Sequence, residues 1–350
     1  MDSKTRFYHA MEGKPIDRLP MWYGAEPDLT HNIMKLLGVE TEEQMMQEIH
    51  ADFRTIRPKY IGPKLARYED GTFDSIWGIR RGGGFWGTAL NHPLEQIEDV
   101  RELDKFEWPS PDLFDVEFTP EEIALSKDYA IIGGEWAPFF IEAYELVGME
   151  KLLMDMYINP ELAMGLIERC LDFHLEINER LFPKYAQYID MYWFANDYGI
   201  TRGLLMDPDM WRKYLKPLQK KLADQGHKYG MKVAMHSCGD ITSIIPDLID
   251  IGIEIVNPIQ VNCPGMDPQK LKREFGKDIV FFGGIDYNEL LSNGTPSEVK
   301  QGVKDMIDIL GYDGKMIVAP THDLLMGEVP AENMVMLYKT AYEYSPKFFE

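Results

Sequence analysis

The sequence predicts an α/β protein with a (β/α)8 (TIM) barrel fold, and three observations support this. Short apolar segments alternate with amphipathic helical segments, which is the pattern of a parallel sheet built from βα units. Eight of the apolar segments are candidate strands, the number that such a barrel needs. The length of 350 residues is ordinary for one barrel, and no Gly/Ser-rich linker interrupts it. We therefore expect a single domain over residues 1–350.

The eight candidate strands are short apolar segments bounded by polar, glycine or proline residues. They lie at residues 19–23, 52–56, 129–133, 188–194, 232–235, 253–257, 279–282 and 316–319. Convincing helices are predicted at residues 208–229, 296–310 and 331–344, the first two opening after Asp207 and Thr295. Residues 58–128 are too long for a plain connection. We predict one or two inserted hairpins there, on the rim of the barrel.

Composition excludes several classes of partner. Lys and Arg number 36 against 58 Asp and Glu, a net charge of −22, which argues against nucleic acid and anionic membrane surfaces. Three scattered cysteines form no disulfide framework, and no apolar stretch is long enough for a signal core or a membrane span. We expect a cytoplasmic protein. The oligomeric state stays open, with a homodimer among the options.

Polar residues follow most of the candidate strands. In a (β/α)8 barrel the active site lies just past the carboxyl ends of the strands. The residues at those positions are Glu26, Glu135, Asn196, Asp197, His236, Cys238, Asn257, Asp286 and His322. Packing needs none of them, although some Asp and Asn residues could serve as helix N-caps. The sequence therefore predicts an active site at this face.

His236, Cys238 and His322 are candidate zinc ligands. His236 and Cys238 lie two residues apart where one strand ends, and His322 follows another strand at the matching place. Two histidines, one cysteine and an open position form the layout of a catalytic zinc site. Taken alone, His236 and Cys238 could equally be a hydrogen-bonded histidine and a buried cysteine. Asp197 or Glu135 could be a weak fourth ligand, but a role in substrate binding is the preferred interpretation.

Other residues near the strand ends are candidates for binding substrate. Asp286 follows Gly283 and Gly284, and we weigh substrate binding and helix capping equally for it. The Gly82-Gly-Gly-Phe-Trp86 segment lacks the features of a phosphate loop and is predicted to be a rim loop that carries Phe85 and Trp86 over the pocket. Trp193 and other aromatic residues would make the mouth partly apolar, although packing is the commoner role.

Several linked motifs resemble the uroporphyrinogen decarboxylase superfamily. They are residues 193–217, His236-Ser-Cys-Gly-Asp240, residues 255–260, Phe282-Gly-Gly-Ile-Asp286, and residues 319–322 with residues 329–333. The resemblance spans most of the chain and implies a (β/α)8 barrel. True uroporphyrinogen decarboxylases need no metal, grip their substrate with an arginine-rich first loop, and carry an Asp after the second strand. This chain has Met21-Trp-Tyr-Gly-Ala-Glu26 and Arg57-Pro-Lys59 at those places. An acidic mouth would also repel a polycarboxylated tetrapyrrole.

The motifs are more similar to the branch of zinc-dependent methyltransferases that work with corrinoid proteins. The His-x-Cys pair of that branch matches His236 and Cys238. Its third ligand is usually Cys, and this chain departs from that pattern with His322, one residue further from the following Pro. One thiolate and two imidazoles would leave zinc positively charged, a strong Lewis acid. The resemblance then implies transfer of a methyl group from a small donor, such as an aryl methyl ether, to Co(I) of a separate corrinoid protein.

In this interpretation the other strand-end residues serve the substrate. Asp197 or Glu135 would orient it or supply a proton. The candidates for binding it are Trp193, Asn257, Asp286, Phe85, Trp86 and Glu26. Two alternatives stay open: a metal-free tetrapyrrole decarboxylase, and a non-catalytic barrel that binds a corrinoid protein or a tetrapyrrole.

Overall fold

A computed structural model describes residues 1–83 and 87–345. The strands of the described residues are β1 Phe53–Ile56, β2 Lys59–Tyr60, β3 Phe73–Asp74, β4 Arg80–Gly82, β5 Thr88–Ala89, β6 Phe114–Asp115, β7 Ala130–Gly133, β8 Met191–Ala195, β9 Gly199–Ile200, β10 Gly203–Leu204, β11 Lys232–His236, β12 Ile255–Asn257, β13 Val280–Phe282 and β14 Met316–Ile317. Seven parallel strands form one curled sheet in the order β1-β7-β8-β11-β12-β13-β14.

Helices follow most strands of this sheet and cover its outer face. They are α1 Ser3–Glu12, α2 Pro27–Leu37, α3 Glu42–Glu48, α4 Pro120–Leu125, α5 Phe139–Val147, α6 Met149–Ile158, α7 Pro160–Tyr185, α8 Pro208–Tyr214, α9 Lys216–Lys228, α10 Ile245–Asp250, α11 Pro268–Phe275, α12 Pro296–Met306 and α13 Ala331–Tyr344. None of the helices in the described ranges is long and apolar enough to cross a membrane.

The first of the eight predicted strands, at residues 19–23, is not a regular strand in the structure but a short bridging segment. The amide of Asp52 donates to the Met21 carbonyl, next to β1, at 2.8 Å. On the other side, next to β14, the amide of Val318 donates to the Pro20 carbonyl at 2.8 Å. The amide of Trp22 donates to the Val318 carbonyl at 3.1 Å. Beyond it, Ala25 bridges to Leu325. Residues 20–25 therefore lie between the first and last strands of the sheet.

Two apolar clusters pack on the two faces of the curled sheet. The larger cluster fills the space between strands and helices. The smaller one lies inside the curl and contains alternate residues of the strands, including Ile132, Trp193 and Phe282. Phe7 of α1 enters it from the amino end, with its ring centroid 5.4 Å from that of Phe53. Successive side chains of a strand point to opposite faces of the sheet. This alternation therefore determines toward which face the polar residues at the carboxyl ends point.

A buried ion network anchors the amino end of the sheet. The carboxylate of Asp52, which is 0% exposed, accepts from Arg6 at 2.6 Å and from Arg18 at 2.7 and 3.0 Å. It also accepts from the amide of Met21 at 2.8 Å and from the hydroxyl of Ser3 at 2.8 Å. One carboxylate thus joins α1, the bridging segment and β1.

The described residues between β1 and β7 form two small antiparallel sheets. β3, β4 and β5 form a three-stranded sheet, and β2 pairs with β6. Trp77, between β3 and β4, is 3% exposed and packs its ring 5.1 Å from that of Phe173 on α7. This contact fixes the segment to the outside of the main sheet.

Two predicted helices are shorter in the structure. The helix predicted over residues 208–229 is divided into α8 and α9 at Leu215. Pro217 has no amide hydrogen and its ring excludes a continuous α-helical path, so a new helix begins there. The helix predicted over residues 296–310 is α-helical as far as Met306 and then continues as wider π-helical turns to Gly311. Residues 331–344 form α13 as predicted.

Candidate metal centre

Asp197, His236 and Cys238 bring three possible ligand atoms together at the carboxyl end of the sheet. His236 is the last residue of β11, Cys238 lies two residues beyond it, and Asp197 lies two residues beyond β8. His236 Nε2 is 3.3 Å from Asp197 Oδ1 and 3.5 Å from Cys238 Sγ. All three ligand atoms lie within 4.8 Å of one another. In a tetrahedral zinc site with bonds of about 2.0–2.3 Å, ligand atoms lie roughly 3.3–3.7 Å apart, so this donor set fits zinc.

Neighbouring residues orient the His236 ring. Its Nδ1 lies 2.8 Å from Asn257 Oδ1 and also contacts Asp323 Oδ2. Asn257 is paired with His236 in the β11–β12 register, which places the two side chains together. A hydrogen bond from Nδ1–H directs Nε2 toward Asp197 and Cys238, where a bound metal would replace the proton on this nitrogen. Burial opposes a charged ring, but Asp323 and Cys238 raise the pKa of His236 well above its ordinary value.

The loop after β11 holds Cys238 through its backbone. The amide of Cys238 donates to Asp197 Oδ1 at 2.8 Å, and the amide of Gly239 donates to Gln260 Oε1 at 2.5 Å. Burial raises the pKa of the Cys238 thiol, with His236 opposing the shift. Because a metal binds the thiolate rather than the thiol, metal binding at this site releases a proton.

Gly239 allows the close approach that this loop requires, and its replacement is a first prediction. Gly239 has φ +83°, and a Cβ there would lie 2.3 Å from the Gly199 carbonyl carbon. We expect Gly239→Ala to displace Cys238, weaken zinc retention, and lower the free energy of unfolding by about 1–3 kcal/mol. Gly13→Ala is the matched control, because Gly13 has φ +64° but a Cβ there would have no atom within 4 Å. Equal zinc content in both purified variants would contradict the prediction.

His322 lies outside the group of three. Its Nδ1 is 3.3 Å from the amide nitrogen of Leu324, and its ring centroid is 5.6 Å from that of Tyr287. Among the residues that the structure describes, the possible metal-binding group contains Asp197, His236 and Cys238 and leaves out His322. The next residue, Asp323, contacts His236 instead.

The other predicted residues lie in different surroundings near Asp197, His236 and Cys238, which we call the trio. Trp193 is 3% exposed inside the curl of the sheet, with its ring 4.9 Å from that of Trp136, which in turn lies 5.5 Å from the His236 ring. Asp286 accepts the amide of Asn288 and so caps the helical turns that follow. Glu26 is the N-cap residue of α2. Phe85 and Trp86 lie outside the described residues.

Glu135 begins a second polar group beside the trio. It follows β7, and its Oε2 lies 2.9 Å from His174 Nδ1. Arg57, after β1, donates to the carbonyl of Gly134 at 2.7 Å and lies over the ring of Trp136, with 5.1 Å from the guanidinium carbon to the centroid. Burial lowers the pKa of Arg57, and the charge of Glu135 opposes this.

Sequence reasoning missed three polar residues of this region: Asp323, Arg57 and His174. Asp323 and Arg57 both follow strands, so the strand-end rule that found His236 applied to them as well. His174 lies in the middle of α7, far from any strand end. Helical periodicity marks it as a residue of the buried face, but no local pattern indicates its carboxylate partners.

The comparison with family models identifies the family. The model described as uroporphyrinogen decarboxylase (URO-D) matches residues 87–344, most of the chain and all three residues of the trio. The chain belongs to the URO-D family. This confirms the resemblance that the motifs indicated.

Relatives of this URO-D family member include corrinoid-linked methyltransferases. It is 21% identical over 360 residues to a protein named methylcobamide:CoM methyltransferase MtbA from Methanosarcina acetivorans, covering 97% of this chain and 98% of the relative. It is 22% identical to the protein of the same name from Methanosarcina mazei over 87% and 88% of the two chains. A methylated-thiol–coenzyme M methyltransferase from M. mazei is 24% identical over 50% of this chain and 45% of its own.

A solved structure shares the fold of this URO-D family member. A methyltransferase from M. mazei superposes with a TM-score of 0.63 over 98% of this chain and 99% of its own, at 18% identity. At that identity the likeness extends to the fold. The relatives and the solved structure named above are thus all methyltransferases.

Proposed function

We propose that this protein is a zinc-dependent methyltransferase that moves a methyl group between a small methylated substrate and a corrinoid carried by a separate protein. The observation that carries the proposal is the trio of Asp197, His236 and Cys238 at the carboxyl end of the sheet. The names of the relatives support it, since they describe methyl transfer involving a methylcobamide.

Zinc is the metal that this donor set fits best. Imidazole, thiolate and carboxylate are its common protein ligands, and the distances from His236 Nε2 to the other two ligand atoms agree with a tetrahedral site. Three protein ligands leave a fourth position for the substrate, and His322 is the alternative third ligand if Asp197 instead contacts the substrate. When bound, zinc would act as a Lewis acid on the substrate heteroatom that gains or loses the methyl group.

The ligand set bears on the substrate class. With His236, Cys238 and His322 as ligands, zinc keeps a positive charge, which favours the aryl methyl ether donor expected from the sequence. With Asp197 in place of His322, the carboxylate and thiolate cancel the charge of the ion, which suits a substrate that itself binds as a thiolate. Because Asp197 belongs to the trio and His322 does not, we place a thiol first and an aryl methyl ether second.

Methyl transfer also requires a proton carrier. A heteroatom that accepts a methyl group loses its proton, and one that releases a methyl group gains a proton. Glu135 follows β7 at the carboxyl end of the sheet, and its charge acts on Arg57 together with that of Asp323, which contacts His236. We therefore place the Glu135 carboxylate at the edge of the site. We assign this role to Glu135.

The proposal is tested by metal analysis combined with two transfer assays on the same preparation. We expect about one zinc per chain. Methylcobalamin with a panel of thiols tests transfer to sulfur, and reduced cobalamin with guaiacol or vanillate tests transfer from an aryl methyl ether; the corrinoid absorbance reports both. Chelated protein is the control and should recover activity when zinc is restored. A preparation without zinc that releases CO2 from a tetrapyrrole would overturn the proposal in favour of a decarboxylase.

A non-catalytic binding barrel makes a different prediction. If the barrel only binds a corrinoid protein, His236→Ala should leave that binding unchanged and wild type should transfer no methyl group. Our proposal expects His236→Ala to abolish transfer, because the ring supplies one of the three possible ligand atoms.

A further inference from the structure

A line of buried side chains connects the inserted segment with Glu135. Trp77 Nε1 donates to Glu142 Oε1 at 2.8 Å, and Glu142 Oε2 lies 2.7 Å from His174 Nε2. His174 Nδ1 lies 2.9 Å from Glu135 Oε2. The His174 side chain is 2% exposed, and those of Glu142 and Glu135 are 9% and 12% exposed. Both ring nitrogens of His174 therefore face a carboxylate in a place that bulk water barely reaches.

This geometry fits a protonated ring between two ionised carboxylates. A neutral imidazole has one N–H and one lone pair, so it can donate to only one of two carboxylates, whereas an imidazolium donates to both. Burial opposes the charge, but Glu142 and Glu135 together raise the pKa of His174 to about 10. The other titratable or charged groups near the line are Arg57 and Tyr192 beside Glu135, and Cys170 and the ion-paired Glu145 and Arg81 beside Glu142.

Helix α7 holds Glu135 at a second point. Asn178 lies one helical turn after His174, and its Oδ1 accepts the backbone amide of Glu135 at 2.8 Å. The Asn178 amide group donates to Tyr192 Oη at 2.8 Å and to Gln225 Oε1 at 3.1 Å, which fixes its own orientation. One face of α7 thus binds both the carboxylate and the backbone of the same residue.

We propose that His174 is a positioning residue, a buried imidazolium that holds the Glu135 carboxylate at the edge of the metal centre. Glu142 and Trp77 hold the ring from the opposite side, so the inserted segment contributes to the placement of Glu135. The inference rests on the proposed function, because the role of Glu135 in moving a proton is part of that proposal. In this proposal His174, in the middle of α7, contributes to the site through Glu135.

Two isosteric substitutions separate positioning from packing. In His174→Asn the side-chain N–H lies near the former Nδ1 and can still donate to Glu135; in His174→Gln it lies near the former Nε2 and can reach only Glu142. We expect His174→Gln to lower kcat as much as Glu135→Gln does, on the order of 100-fold, with little change in KM for the corrinoid. His174→Asn should retain several-fold more activity. His31→Gln, at an exposed position on α2, is the control.

The double variant Glu135→Gln/His174→Gln should be no slower than Glu135→Gln alone, because the second change has no carboxylate left to position. Equal activities of the Asn and Gln variants, with zinc and fold retained, would overturn the inference. So would multiplicative losses in the double variant.

A measurement on wild-type protein tests the inference without any activity assay. We would label the eight histidines with ¹⁵N and assign His174 as the signal missing from His174→Gln. At pH 8 an ordinary imidazole is neutral, whereas we expect His174 to give two protonated-nitrogen signals. A neutral ring would overturn the inference even in an active methyltransferase. A protonated His174 in a protein that transfers no methyl group would instead contradict the proposed function and leave the geometry of Glu135 intact.

Discussion

Replacing Cys238 by serine or His236 by alanine is expected to leave the protein folded, remove its zinc, and lower methyl transfer at least about 1,000-fold. A bound metal ion contributes several kcal/mol of transition-state stabilisation, and each 1.36 kcal/mol corresponds to a factor of ten in rate. Both residues contribute a possible ligand atom to the trio, and neither belongs to the apolar clusters that stabilise the sheet. Elemental analysis of the purified variants and the corrinoid absorbance assay measure the two effects.

Cys170→Ala is the matched control for the cysteine change. Cys170 is fully buried on α7 among apolar residues, so its loss should lower stability slightly and leave the zinc content unchanged. Zinc retained by Cys238→Ser at the wild-type level would show that the thiolate is not a ligand. Zinc lost in Cys238→Ser but also in His322→Ala would restore His322 to the ligand set.

Asp52→Ala is expected to have the largest effect on stability, lowering the free energy of unfolding by about 3–5 kcal/mol. The Asp52 carboxylate is 0% exposed and accepts from both Arg6 and Arg18, which are 4% and 8% exposed. Its removal leaves two guanidinium groups buried without this partner, and the cost of an uncompensated buried charge dominates the result. Urea denaturation of wild type and variant measures the difference.

An exposed pair provides the comparison. Asp99 and Arg101 form an ion pair whose side chains are 40% and 84% exposed, so Asp99→Ala should lower stability far less than Asp52→Ala does. Because Asp52 lies at the amino end of the sheet, any folded fraction of Asp52→Ala should keep its zinc. A loss of stability no greater than that of Asp99→Ala would contradict the argument.

The sequence predicted the strands, and the proximity of several polar residues at their ends, where local patterns were strong. The apolar runs that become β8 and β11 end at the residues just before Asp197 and at His236 itself, so the strand-end rule located two members of the trio directly. Cys238 followed from its spacing. Asp197 was expected to serve the substrate, with a weak metal contact as the alternative, and the structure places its carboxylate 3.3 Å from His236 Nε2. One sequence does not say how a loop turns its side chains, so this proximity could not be predicted.

The prediction that remains least supported concerns the residues after β14. That strand ends at Ile317, and the following residues depart from regular strand geometry. The alternation of side chains along a strand then no longer indicates which of His322 and Asp323 faces inward. In the structure Asp323 contacts His236, and His322 lies beside Tyr287.

His174 could not be assigned for a different reason. Its carboxylate partners lie 39 and 32 residues away in sequence, on a loop and on another helix. The 3.6-residue periodicity of α7 places position 174 on the buried face but does not reveal what is buried with it. Only the packing of α5 against α7 brings the charges together.

The bridging segment at residues 20–25 has a consequence for the order in which the protein folds. These residues are synthesised well before their partners Val318 and Leu325. Contacts between segments far apart in sequence are slow to form, because the entropy of closing the long loop opposes them. Asp323 lies between those partners and contacts His236, so the contact that orients the His236 ring depends on the same late closure. A metal site formed by the trio would thus be complete only after the first and last strands of the sheet have come together.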